Sequence, residues 1–297
     1  MIRPVFLLSR QDRPDNPGVL VRKRDSNHVG VSPFSHLTDP LTSEVFLAAS
    51  LAEPPREGLD WLGRVPDGHA PRSYRWIVRL GRLFLLRACG LQIDVAGVEN
   101  IPEGSFVAVC VLHRSWIDPV VVIHALPLEP RVWFLGSGPT ALDRRWKERL
   151  LRRTGGLLPV WRGGTDIDVH VRAARAVVEQ GAALALFAEG RIGGPVDRPA
   201  RMRAGSALLC LRTGAPIVPI AIAGTDELYR GKRVSLRILE PTDPGDLLGP
   251  RWNGTPEAGT REELRVAQAL TDAISERLAP VIGAVSYTHL TLPTTSP

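Results

Sequence analysis

Long apolar runs are absent from this chain of 297 residues. A helix that crosses a bilayer needs about 20 mostly apolar residues, so the sequence predicts a peripheral protein rather than a membrane-spanning one. Cysteine is also scarce, with three residues that form no CxxC or other metal-binding spacing. A disulfide framework and a zinc site are therefore unexpected, and a reducing compartment is the predicted environment.

The overall composition indicates one sizeable core and a basic surface. Hydrophobic residues make up 44% of the chain, its formal net charge is +6 and its pI is about 9.8. Arginine-rich segments can bind either lipid or nucleic acid. No nucleic-acid motif with interleaved aromatic residues occurs, so nucleic-acid binding is a remote alternative and an anionic membrane surface is the expected partner.

Three regions differ in composition. Residues 1–72 are rich in Pro, Arg, Asp and Ser, and we expect a largely disordered extension there. Residues 73–284 are expected to form one folded domain. The tail from Val285 to Thr294 resembles the translation of a sequencing-library adapter, so residues 285–297 are interpreted as non-native read-through and excluded from the fold prediction.

A basic amphipathic helix is predicted over residues 73–91. Three arginines, at 75, 79 and 82, share one face, and the opposite face carries apolar residues, namely Trp76, Ile77, Leu80, Leu83 and Phe84. Such a helix can lie in a membrane interface with its arginines on anionic headgroups. It can also pack its apolar face on the domain, and the two arrangements are compatible.

The most informative stretch runs from His113 to Pro119. The preceding run, Phe106 to Leu112, is continuously apolar and typical of a strand buried on both faces. Asp118 followed by Pro119 predicts a helix start, with Asp118 as its cap. In a strand, turn and helix corner of this kind, the imidazole of His113 and the carboxylate of Asp118 can converge.

Such a pair suits general-base catalysis. The carboxylate fixes one ring nitrogen of His113, and the other nitrogen takes a proton from an alcohol that is otherwise a poor nucleophile. Ser115 is interpreted as a hydrogen-bond partner in the turn, close to the substrate, rather than as a nucleophile. The start of the helix after Asp118 is a candidate source of amide donors for an oxyanion.

Three further blocks follow in order, each at a predicted strand end: 155–162 with Arg162, 187–191 with Glu189, and 217–220 with Pro219. Together with the His-x4-Asp stretch, they resemble the glycerolphosphate and lysophosphatidate acyltransferase family. The resemblance implies an α/β fold with a mixed central sheet flanked by helices, preceded here by the amphipathic helix. Other predicted elements are strands at 131–135, 158–162, 182–187, 216–221 and 234–239 and helices at 141–154, 166–180, 203–212 and 261–278.

The resemblance also implies residue roles. Arg162 would contact the phosphate of the acceptor, and Glu189 and Gly190 would belong to the block that grips it. The family typically has Phe-Pro-Glu-Gly-Thr-Arg-Ser there, whereas this chain has Ile192 in place of the arginine, so Arg191 is the candidate substitute. A second departure is Leu112, where an asparagine usually precedes the histidine. Pro219 is interpreted as architectural, shaping the wall of an acyl pocket.

The predicted activity is transfer of a fatty acyl group from an acyl thioester, acyl-CoA or acyl carrier protein, to the hydroxyl of a lysophosphatidate-like acceptor. The same transfer to another lysolipid or a glycolipid is the alternative, because the third block is altered. No metal or other cofactor is expected, since a thiolate leaves readily. We expect the enzyme on the cytoplasmic face of the membrane, bound peripherally, where the basic helix at 141–154 could hold phosphates.

Overall fold

The computed structural model describes residues 58–161, 167–194 and 200–290. Their strands are β1 Gln92–Ala96, β2 Val107–Val111, β3 Val132–Ser137, β4 Leu157–Val160, β5 Ala183–Phe187, β6 Ile217–Ala223 and β7 Arg233–Ile238. The α-helices are α1 Gly58–Leu62, α2 Arg72–Leu83, α3 Asp118–Ala125, α4 Gly138–Ala141, α5 Arg145–Thr154, α6 Ile167–Glu179, α7 Ala204–Thr213, α8 Pro244–Leu248 and α9 Arg261–Leu290. A π-helical turn, Phe84–Ala88, continues α2.

The strands form one sheet in the order β1-β7-β6-β2-β5-β3-β4, with β2 at its centre. Strands β6, β2, β5, β3 and β4 are mutually parallel, whereas β7 runs antiparallel to β6 and β1 runs parallel to β7. The predicted fold class, a mixed sheet flanked by helices, is confirmed. The five parallel strands end at the same side of the sheet, which we call the carboxyl edge.

Strand β2 explains the continuous apolar run in the sequence. Its side chains alternate between two buried layers: Val107 and Val109 pack in the layer that includes α6, α7 and α9, while Ala108 and Cys110 pack in the layer that includes α3. Because both faces of a parallel strand are covered, alternation of apolar and polar residues is lost. All five residues of β2 are buried, so the strand is a rigid base for the residues that follow it.

The domain begins earlier than the predicted boundary at residue 73. Helix α1 buries Trp61 and Leu62 in the main core, and the guanidinium of Arg152 donates to the carbonyl of Trp61 at 2.7 Å. The prediction of a disordered extension is therefore wrong for residues 58–72, because a short apolar burst there finds a buried site. Residues 1–57 lie outside the described residues.

Helix α2 packs on the domain by a face that the sequence did not predict. Tyr74 and Val78 are its buried residues, and Arg82 donates to the carbonyl of Leu126 at 3.0 Å. The predicted apolar face points outward instead, and its exposed residues are Trp76, Ile77, Leu80, Leu83 and Phe84. Within the described part of the chain, none of the helices combines the length and apolar character needed to cross a bilayer.

Several element boundaries differ from the prediction. The helix predicted over 141–154 is divided into α4 and α5, and the last helix continues beyond residue 278 to Leu290, across a stretch interpreted as non-native. Strand β1 and helix α8 were not predicted. These segments are short, so the periodicity of their apolar residues is weak. Tertiary contacts then decide their secondary structure.

Candidate active site at the carboxyl edge

The turn that follows β2 begins with a left-handed residue. Leu112 has a φ of 67°, a conformation that glycine and asparagine tolerate and that is strained for leucine. Its side chain packs in the same buried layer as that of Val111, so the alternation of the strand is broken at this point. The break re-aims the next residue, His113, toward the other face of the sheet.

His113 and Asp118 meet as predicted. Nδ1 of His113 lies 2.7 Å from Oδ2 of Asp118, whose side chain is fully buried, while the imidazole keeps 12% of its surface exposed. The same oxygen accepts the backbone N–H groups of Arg114 at 2.8 Å and Ser115 at 2.9 Å. Because a carboxylate acceptor requires a proton on Nδ1, Nε2 is left to accept a proton from a substrate.

The predicted cap and oxyanion donors at the start of α3 are both wrong. Asp118 is the first helical residue, and its carboxylate points back into the turn rather than capping the helix. Pro119 has no N–H. The remaining N–H groups donate within the turn, Asp118 to Ser115 O at 3.2 Å, Val120 to Ile117 O at 2.9 Å and Val121 to Ile117 O at 3.0 Å.

Glu189 faces inward, toward the backbone of the turn. Its side chain is fully buried, Oε2 accepts the backbone N–H of His113 at 2.6 Å, and Oε1 accepts that of Ala200 at 2.8 Å. Both oxygens are therefore used within the protein. The structure gives Glu189 a positioning role and contradicts the expectation that its carboxylate contacts the acceptor.

Two residues that the sequence analysis did not single out complete the surroundings of His113. The ring of Phe187 stacks on the imidazole with 3.8 Å between centroids and 15° between planes. The guanidinium of Arg114 is nearly buried, donates to the carbonyl of Gly193 at 2.9 Å and lies 3.9 Å from Glu189. Both residues belong to the quoted blocks, but the direction of a side chain cannot be taken from a motif.

The loop after β5 lies beside the turn. Gly190 adopts a φ of 64°, and the N–H of Gly193 donates to the carbonyl of His113 at 2.8 Å. Arg191 and Ile192 are exposed on this loop, where a guanidinium remains accessible to an acceptor. The predicted placement of these residues near His113 fits the structure, whereas their contact with an acceptor remains a prediction.

The other predicted residues have different positions. Ser115 is half-buried in the turn and contributes its backbone N–H to Asp118. Arg162 lies outside the described residues, so its predicted phosphate contact is untested. Pro219 is buried in β6 opposite Val109 of β2. On the other side of β6, the pairing with β7 includes Ile220 with Ile238, and Ile217 forms an isolated bridge with Thr242. Pro219 lies between these two pairings, where the missing N–H of a proline is tolerated.

The electrostatics beneath the site favour a neutral thiol. Burial raises the pKa of the Cys110 thiol, and the negative charge of Asp118 raises it further. Cys110 is fully buried in β2, three residues before His113, and does not reach the surface. The turn therefore presents the imidazole of His113 to the surface, while the sulfur of Cys110 belongs to the core.

A surface cavity of about 370 Å³ lies elsewhere, lined by Gly97, Asn100, Glu240 and Arg277 among others. It stands at the end of β7, which runs antiparallel to β6, and therefore at the sheet edge opposite His113. Despite its size, this cavity is not the proposed reaction site, because His113 and Asp118 lie at the opposite edge of the sheet.

This chain is similar in sequence and in structure to known proteins. Residues 92–223 match the family model described as Acyltransferase, a range that runs from β1 to the end of β6 and contains all four blocks. Among solved structures, the chain is similar to the 1-acyl-sn-glycerophosphate (LPA) acyltransferase PlsC from Thermotoga maritima, with 21% identity and a TM-score of 0.45. That similarity covers 69% of this chain and 81% of the other.

Proposed function

We propose that the chain moves a fatty acyl group from an acyl thioester to the hydroxyl of a lysophosphatidate-like acceptor. The match of residues 92–223 to the Acyltransferase family model supports the family and the enzyme class that the four blocks indicated. The donor, the acceptor and the site of action belong to the proposal. The observation that carries it is the 2.7 Å contact between His113 and Asp118.

The proposed reaction uses His113 as the base. Nε2 takes the proton from the acceptor hydroxyl as that oxygen attacks the thioester carbonyl, and Asp118 stabilises the imidazolium that forms. The tetrahedral intermediate then expels the thiolate, which takes the proton from the imidazolium and leaves as free thiol. The products are the acylated lipid and CoA or acyl carrier protein, and no covalent intermediate on the enzyme is required.

The acceptor is expected to carry a phosphate, because an exposed arginine lies on the loop beside the proposed site. Arg191 is exposed on the loop that contacts His113, and an arginine fork suits a phosphate group. Ile192 stands where the family usually has an arginine, and its side chain is exposed. This difference favours, as a second candidate, another lysolipid or a glycolipid as the acceptor.

We propose that the reaction occurs on an anionic membrane surface, at its cytoplasmic face. The outward apolar face of α2 supports this proposal, since Trp76 is 61% exposed and Arg79 lies over its ring at 6.0 Å. Aromatic residues and arginines in this combination favour the boundary between headgroups and acyl chains. Two arginines of the same helix bind the domain instead, Arg75 through Glu129 and Arg82 through the carbonyl of Leu126, and they fix the helix with its apolar face outward.

The test is acylation of a panel of lysolipids and glycolipids with acyl-CoA and with acyl carrier protein thioesters, with products identified by mass spectrometry. A His113→Ala preparation of matched folding excludes host acyltransferases that copurify. Acylation of lysophosphatidate supports the proposal, and preferential acylation of another lipid supports the second candidate. A folded protein that acylates none of these acceptors from either donor would refute both.

A further inference from the structure

The connection between β6 and β7, residues 224–232, lies at the carboxyl edge beside the turn of His113. Strand β6 pairs with β2 in parallel, from Val107 with Ile217 to Val111 with Ala221, so β6 ends on the same side of the sheet, two residues beyond the end of β2. The connection exposes two large side chains, Leu228 and Tyr229, the latter to 58%. Nothing in the proposed chemistry uses them.

This connection has a defined shape. The backbone N–H of Lys232 donates to the carbonyl of Tyr229 at 3.1 Å, and its ammonium lies 5.2 Å from the centre of the Tyr229 ring and 3.8 Å from Asp226. The N–H of Gly231 also donates to the carbonyl of Gly90 at 2.9 Å. The exposed tyrosine is therefore presented on a structured loop that is fastened to the segment after α2.

The same edge receives the end of the leading helix. Gly81 of α2 faces Val120 near the start of α3, while Tyr74 and Val78 cluster with Ile123 and Leu128 at its other end. The two helices are thus antiparallel, and α2 runs toward the edge that carries His113. The last exposed apolar residues of α2 and of the π-helical turn that continues it lie at that end, namely Leu83, Phe84 and Leu86.

Trp116 stands between His113 and Asp118 in sequence, and its side chain is 63% exposed. It belongs to the turn that the catalytic pair forms, whereas Phe84 and Tyr229 belong to the two neighbouring segments. Neighbouring strands are about 4.8 Å apart, so the start of β1, three strands from β2, lies about 14 Å from it. Exposed aromatic residues on three segments thus flank one short stretch of the edge.

We propose that Leu228, Tyr229 and Trp116, together with the end of α2, form one membrane-binding rim whose partner is a bilayer that contains anionic lipids. The inference rests on the proposed function and adds a second contact to that of α2. Soluble proteins seldom expose apolar clusters of this kind, and tyrosine and tryptophan favour the interface of a bilayer. Two contacts fix the orientation of the protein, so that His113 faces the lipid.

The charge around the rim fits an anionic surface. Arg79, Arg87 and Arg230 are exposed at or beside it, and Lys232 adds a further cation. The acidic residues of the same connection are Asp226, which Lys232 approaches, and Glu227. Cations exceed anions, and basic residues near an anionic leaflet strengthen binding.

The test is sedimentation of the full chain with vesicles of equal parts phosphatidylcholine and phosphatidylglycerol. The variant Leu228→Asp/Tyr229→Asp is expected to lower the partition into vesicles at least about 10-fold, because two interfacial side chains are replaced by charge. The matched control is Val98→Asp, since Val98 is 48% exposed but lies after β1, at the opposite edge. We expect it to bind as the wild type does.

A second readout separates the rim from the chemistry. Acyl transfer to a short-chain, monomeric lysolipid should proceed at the wild-type rate in the loop variant, because the catalytic turn is unchanged. Partition equal to that of the wild type, or an equal loss in Val98→Asp, would overturn the rim. Absence of acyl transfer by the wild type would refute the proposed function. The vesicle experiment would then test the rim independently of the enzyme activity.

Discussion

The backbone N–H of His113 donates to Oε2 of Glu189 at 2.6 Å, and each residue lies two positions after the end of its strand, β2 for His113 and the neighbouring β5 for Glu189. A buried carboxylate thereby fixes the main chain of the proposed base, while Asp118 fixes its ring. The base is oriented from two sides. This arrangement assigns the glutamate of the third block to the positioning of His113.

Replacement of Glu189 by glutamine tests this role. One of the two oxygens becomes an NH2 group that meets a backbone N–H, either of His113 or of Ala200, and an unsatisfied buried donor costs about 1–3 kcal/mol. We expect Glu189→Gln to lower the free energy of unfolding by about that amount, and to lower kcat more than it raises KM for the thioester. Urea unfolding and steady-state kinetics measure the two effects.

The matched control for that substitution is Glu240→Gln, which changes an exposed carboxylate at the opposite edge of the sheet. It is expected to leave stability and kinetics unchanged. Full activity and full stability in Glu189→Gln would show that the carboxylate does not position the turn.

Leu112 provides a second prediction, because its left-handed backbone turns His113 toward Asp118. Isoleucine has the same atoms as leucine but branches at Cβ, and β-branched residues are outliers in this conformation. We expect Leu112→Ile to lose about 1–3 kcal/mol of stability and to lower the rate of acyl transfer. Leu112→Met keeps an unbranched Cβ and should change stability by less than about 1.5 kcal/mol. Equal stability of Leu112→Ile and Leu112→Met would show that the backbone at residue 112 does not strain a β-branched side chain.

The carboxylate of Asp118 is expected to act through His113. An asparagine at this position keeps the size of the side chain but loses the charge that favours a proton on Nδ1 and the imidazolium. Asp118→Asn should lower kcat/KM by about 10²–10⁴-fold. Since the two residues act as a unit, the double variant with His113→Gln should be no slower than His113→Gln by itself. Additive losses would contradict the pairing.

The buried thiols give a prediction about reactivity. Burial raises the pKa of Cys110, with Asp118 adding to the effect, and burial raises the pKa of Cys210 to about 12. Only a thiolate reacts readily with iodoacetamide, so at pH 8 both residues should stay protonated and unmodified in the folded protein. Cys89 is partly exposed and serves as the internal comparison. Peptide mass spectrometry before and after unfolding measures the labelling, and rapid native labelling of Cys110 would contradict its burial.

The sequence was sufficient for the parts of the site that local patterns determine. A continuous apolar strand followed by a strong helix start placed His113 and Asp118 at one corner, and their separation of five residues then required a turn between them. The direction of Glu189 was not predictable, because the motif specifies a carboxylate at a strand end and only the neighbouring strand decides what it contacts. Similarly, amphipathicity identified α2 but not the side that packs, since Tyr74, Arg75 and Arg82 bind the domain.

The departures from the family pattern gain a physical meaning in the structure. Asparagine is usual before the histidine in the family that the blocks resemble, and the left-handed φ of Leu112 is a conformation that asparagine tolerates. The sequence revealed the difference but not the backbone angle. The exposed Trp116 was equally visible in the sequence, yet its significance depends on its neighbours at the carboxyl edge.

The most direct test of the account is the rate of acyl transfer by His113→Gln, compared with the wild type in preparations whose circular dichroism and unfolding curves agree. Glutamine fills similar space and cannot serve as the base. With the acceptor that the wild type acylates best, release of free thiol should fall by at least about 100-fold. Equal rates in the two proteins would show that the imidazole of His113 does not take the proton, and the proposed mechanism would be wrong.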